Sequence, residues 1–153
     1  MTPATLSALL ALTLAQDPQT IHGGLGARID QVVQVVDGRW VLVGASGSDD
    51  DRVHQWRRLN EMMTLQARQF ATGQEAERHV KALVADLAVR PEETLKVGSF
   101  AVRIEWGDGR SSVYLATGRT AIVISAPGAE LSKRLSRQAV AEFADRQRIS
   151  ASR

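Results

Sequence analysis

The chain has 153 residues, 44% apolar and 24% charged, with a formal net charge of +2 and no cysteine. That length suits one domain with a substantial core, and the missing thiols exclude disulfides, thiolate zinc sites, iron–sulfur ligation and cysteine nucleophiles. So small a net charge gives little non-specific pull on nucleic acid, although the basic side is almost all arginine, with Lys81, Lys96 and Lys133 the only lysines.

Thr2 is placed to cap a helix whose first position is Pro3, where proline's missing donor and fixed φ cost nothing. That helix is predicted to run to about Gln16, with Leu6, Leu9, Leu10 and Leu14 in a stripe and alanines over most of the rest. With so little polar face it must be covered, by the body of the domain or by a second subunit. The segment LSALLALTLAQ resembles the apolar part of a secretory signal, but no basic residue precedes it. At about fourteen residues it is also too short to span a bilayer. The reading is a structural helix in a cytoplasmic protein with no membrane span, and export is the alternative.

Asp17-Pro18 stops the first helix, and HGGLG reads as a flexible connection. Strands are predicted at about 28 to 36 and 39 to 44, joined at Asp37-Gly38, a dipeptide that tolerates the positive φ of a tight hairpin. Trp40 and Leu42 would face one way and Val41 and Val43 the other, which places this strand centrally in a sheet. After a polar stretch at 44 to 48, Asp49, Asp50 and Asp51 suit a helix N-terminus. Val53, Trp56, Leu59, Met63, Ala67 and Phe70 follow at helical spacing up to Gly73. A further helix is predicted from about Gln74 to Ala88 on the stripe Ala76, Val80, Leu83, Val84 and Leu87, and Pro91 ends it.

Phe100, Val102, Ile104 and Trp106 alternate with more polar neighbours, the period of a strand with one dry face. Gly107-Asp108-Gly109 turns it into a partner at about 110 to 117, Gly118 leads to a third strand, TAIVIS, and a last helix starts at about Ala129 on Leu131, Leu135, Ala139 and Phe143. The expected fold is α+β: one domain over 1 to 153, its antiparallel sheet built from an N-terminal hairpin and a C-terminal three-stranded meander. About four helices would flank it, and a polar tail would begin near 147.

No group of residues demands a particular chemistry. His22, His54 and His79 have no second ligand at metal spacing, the aspartate run lacks the calcium-loop pattern, and GGLG lacks the helix, third glycine or lysine of a phosphate loop. Trp40, Trp56 and Trp106 fall on apolar stripes, and no serine sits in a nucleophile elbow. No cofactor or metal is implied. The leading expectation is a non-enzymatic, homodimeric interaction module using Leu6, Leu10, Leu14, Trp56, Leu59, Met63 and Phe70 as contact surface for a second copy or a protein partner. The rival is nucleic-acid contact by Lys133, Arg134, Arg137, Arg146 and Arg148 on the last helix.

VVDGRWVLVGASG is similar to the first hairpin of the roadblock/dynein light chain family, and TGRTAIVISAPGAELSKRL resembles its closing strand and helix. That resemblance implies a profilin-like homodimer acting as a regulator or scaffold for small GTPases and motility or trafficking complexes. The outline also resembles type III secretion chaperones, small dimeric α+β proteins that hold client segments.

Overall fold

Leu25, Ile29, Val32, Val33 and Val36 recur at helical spacing, and in the computed structural model, which describes residues 24–151 and side chains as far as 144, they form one face of a helix. This helix, α1 (Leu25–Val36), replaces the strand expected at 28 to 36. Its valines suit strands by propensity, but Asp30, Gln31 and Gln34 between them keep a polar face outward. Gly24 is its N-cap residue, so the expected flexible connection at 22 to 26 ends inside its first turn. A Cβ on Gly26 would lie 3.1 Å from His54 Nε2, which explains a glycine where α1 meets the sheet.

Three strands follow: β1 (Val41–Gly47), β2 (Asp51–Arg58) and β3 (Glu61–Gln69). The stretch expected to be a helix from 52 to 70 is therefore a β-hairpin. Trp56, Met63 and Ala67 satisfy both periods, but His54 and Trp56, then Met63, Leu65 and Ala67, alternate with exposed or half-exposed residues, as a sheet with one dry face requires. Arg58 pairs with Glu61 across a two-residue turn, Leu59-Asn60. Asp49 and Asp50 lie in the turn between β1 and β2, closed by the Ser48 amide donating to the Asp51 carbonyl, and do not cap a helix.

Helix α2 (Gly73–Asp86) starts where Thr72 Oγ1 accepts from the Glu75 amide, an N-cap of the usual kind. A two-residue strand β4 (Glu93–Thr94) precedes the meander β5 (Phe100–Glu105), β6 (Arg110–Thr117) and β7 (Thr120–Pro127), and α3 (Ala129–Ala151) closes the chain. α2, β5, β6, β7 and α3 fall where the sequence reading placed them, but β4 was not expected, Ala101 and Arg103 on the face of β5 expected to be wet are buried, and α3 continues past the point where the polar tail was expected to begin. The first predicted helix, with Leu6, Leu10 and Leu14, lies outside the described residues.

The fold is α+β, with a seven-stranded, fully antiparallel sheet ordered β1-β2-β3-β7-β6-β5-β4. The two meanders meet where β3 pairs with β7, Leu65 opposite Ile124 and Ala67 opposite Ile122. α1 and α3 cover one face, burying Ile29, Val32, Val33, Leu135, Ala139 and Phe143 against Trp56, Met63, Leu65, Val113, Leu115, Ile122 and Ile124. On the other face α2 packs over β6 and β7, where Val80 meets Ala116 and Ala121 with Phe70, Phe100 and Tyr114 beside them. The side chains of β1 to β3 on that second face, among them Val41, Arg57, Met62 and Gln55, stay wholly or largely exposed.

Candidate functional site: the outer edge of the sheet

At one end of the sheet β1 hydrogen-bonds only to β2, so the sequence reading of a central strand is corrected: among the described residues its outer side has no strand partner. An unpaired strand presents a row of backbone donors and acceptors, and natural sheets usually protect such a row with charge, proline, a bulge or brevity. Here Val41 is 62% exposed, and Leu42 and Val43 are exposed with it. The pairing register shifts between Leu42 and Gly44, so Val43 is the extra residue of a bulge. Val41 and Val43, two residues apart and so on one side of the strand, line the same surface hollow, of about 720 Å³, with Arg39, Arg57, Arg58 and Leu59.

Leu59 is the most exposed large apolar side chain described, at 88%, and among the described residues it is the only non-glycine with positive φ, at 55°. A two-residue hairpin turn needs that conformation and normally takes it from asparagine, aspartate or glycine. A leucine there accepts both backbone strain and hydration, and neither helps the fold.

The rim of the hollow is tied together by Asp37. Asp37 Oδ1 accepts from the Arg39 amide and from Arg39 Nε, both at 3.0 Å, and Asp37 Oδ2 accepts from Arg58 Nη1 at 2.6 Å. The Arg39 hydrogen bonds hold the Asp37 carboxyl well below the usual carboxylate range. Arg58 also reaches Glu61 at 3.1 Å and lies over the buried Trp40 ring, 4.8 Å from its centroid. Asp37-Gly38 is thus a clamped junction between helix and strand, and the hairpin on which the roadblock resemblance rested is not formed there. Charge along β1 is uneven: Arg39, Arg57 and Arg58 outnumber Asp37 and Glu61 at its start, and Asp49, Asp50 and Asp51 outnumber Arg52, the partner of Gly47, at its end.

Two other polar clusters are structural in character. His54, expected at a helix start, is buried on β2; Asp30 of α1 accepts from its Nδ1 at 2.8 Å, and its Nε2 lies 3.3 Å from Arg52 Nη2. Nothing in the local sequence pairs His54 with a residue on another element, so this helix-to-sheet tie was invisible. Buried Arg103 donates to Glu93 at 2.7 Å, to Glu105 and to Ser111, and ties β4 to β5 and β6. Lys133 of α3 joins Glu93 at 3.0 Å, and with Arg103 ahead of it in effect these bonds lower the Glu93 carboxyl. On the open face a shallow cleft is lined by Trp106, Arg110, Ser112, Tyr114 and Ser125, where Trp106 Nε1 donates to Ser112 at 2.8 Å. No group of three or more His, Asp or Glu side chains able to hold a metal occurs among the described residues.

The structure disperses the residues singled out from sequence. Trp56 is 2% exposed and Met63 is fully buried, both on the core face of strands, so neither belongs to an outer helical stripe. Phe70 is half-buried against α2, and Leu59 alone of the described set stands at the surface hollow. Among the basic residues, Lys133 is engaged with Glu93, Arg134 Nη2 donates to the Val36 carbonyl at 3.1 Å, and Arg137 is exposed. The side chains of Arg146 and Arg148 lie outside the described residues. No described helix is long and apolar enough to cross a membrane. Comparison with family models, with curated proteins and with solved structures returns no match to this chain.

Proposed function

We propose that this protein is a non-enzymatic interaction module that binds a strand-forming protein segment along β1. The carrying observation is the coincidence at one place of a strand edge with no strand partner among the described residues, exposed Val41 and Val43, and an exposed Leu59 held at positive φ. Backbone groups on such an edge supply affinity by adding a strand, and the apolar hollow beside it supplies selectivity. Strain at a surface position is retained when something other than folding needs the side chain. Holding a segment in this way agrees with the client-binding role that the secretion-chaperone outline implies.

The test is capture from a native extract with the protein and with its Val41→Lys/Val43→Lys variant, side by side. Lysines on an outward-facing edge oppose strand addition while leaving the core untouched. The proposal expects species, copies of the chain included, that the parent retains and the variant loses. Identical retention by two equally folded proteins overturns it.

A further inference from the structure

We infer that the segment bound by β1 is the β1 of a second copy, paired antiparallel about a two-fold axis near Gly44; this rests on the reading of β1 as a binding edge. The argument is the direction of charge along the strand. β1 leaves the Asp37–Arg39–Arg58 clamp at its basic start and runs into Ser48, Asp49 and Asp50 at its acidic end. A parallel neighbour of the same sequence would set like charges beside each other. An antiparallel copy centred on Gly44 sets Val41 against Gly47 and Leu42 against Ser46, and brings Arg39 opposite Asp49 at both ends.

Each basic end then meets an acidic end, twice, by symmetry alone. A self-complementary patch of this kind is what a two-fold interface requires. Opposite charges in such positions fix register and suppress wrong partners, and like charges there are strongly disfavoured. Gly44 at the axis adds no side chain where the two backbones approach. Arg39, 77% exposed while bonded to Asp37, and Asp49, exposed, both lie at the surface and neither belongs to the core. The pairing joins two seven-stranded sheets into one continuous sheet and satisfies the outer backbone groups of β1 in both copies.

A charge exchange tests this with no knowledge of other partners. Arg39→Glu sets glutamate against Asp49 at both ends of its own dimer, and Asp49→Arg sets two arginines together. A mixture of the two variants restores an opposite pair at each end. Light scattering and native mass spectrometry over a micromolar range should show a dimer for the parent, association weakened by about tenfold or more in affinity for each variant, and a mixed dimer on combining them. Circular dichroism confirms that each variant is folded.

A parent dimer unmoved by either variant overturns the β1 pairing, since the copies then meet elsewhere. A parent that stays monomeric overturns the second copy as occupant, and the lysine-variant capture then judges the edge itself, whose binding of another protein is unaffected by that result. Protection of the β1 amides from hydrogen exchange in a monomer, lost when residues 1 to 23 are removed, assigns the edge to the chain's own N-terminal segment and overturns the proposal equally.

Discussion

On the proposed reading of β1, Leu59 separates stability from binding at a single position. Its left-handed backbone costs a non-glycine residue about 1 to 2 kcal/mol, and its exposed side chain gains nothing from burial. Leu59→Asn should therefore raise the thermal midpoint, by about 1 kcal/mol in stability, and at the same time weaken association through the β1 hollow. Trp56 is the opposite case, with all its worth in packing: Trp56→Ala should cost about 3 to 5 kcal/mol in denaturant unfolding. Glu93 carries a pH signature. Its carboxyl is lowered in the folded protein from an ordinary value of 4.5 by Arg103 and Lys133, so the unfolded chain binds a proton at higher pH than the folded one. The stability it contributes is complete above that ordinary value and is lost as pH falls through the folded one. Glu93→Gln should lower the melting temperature at neutral pH and make its decline in acid shallower.

At the scale of elements, legibility depended on whether one period alone fitted the apolar residues. The C-terminal meander and the last helix were readable because Phe100, Val102 and Ile104 alternate strictly and Gly107-Asp108-Gly109 marks the turn. Helix α2 was equally plain, and its cap makes a direct test: Thr72→Ala removes the acceptor for the Glu75 amide and should cost about 1 kcal/mol. The first half misled for two separate reasons. Ile29, Val32 and Val33 favour strands one by one but line a helix face together, and tertiary burial against Trp56 and Phe143 decides for the helix. In the β2–β3 hairpin Val53, Trp56, Met63 and Ala67 fit a helix as well as a strand, and the turn carries Leu59-Asn60 with no glycine to announce it. The site shared that obscurity: Val41 and Val43 looked like the inside of a central strand, because sequence does not say where in a sheet a strand will lie.

For the whole molecule, the two faces of the sheet are unequal. Among the described residues one is covered by α1 and α3 and the other is roofed only over β6 and β7, so a change on the β1 side leaves the core undisturbed. A change at that edge should therefore alter oligomer mass and leave the unfolding midpoint of the dilute protein within about 0.5 kcal/mol, which a melt of the Val41→Lys/Val43→Lys variant checks. The seam between β3 and β7 has a different consequence, one of time. Every other strand pair joins neighbours in the chain, but Gln66 must find Val123 across a helix and an entire meander. Closing so long a loop is entropically dear before any contact repays it. Refolding should accordingly be slow for a chain of this size, with Ile122→Val retarding the refolding arm of a stopped-flow chevron more than it hastens the unfolding arm.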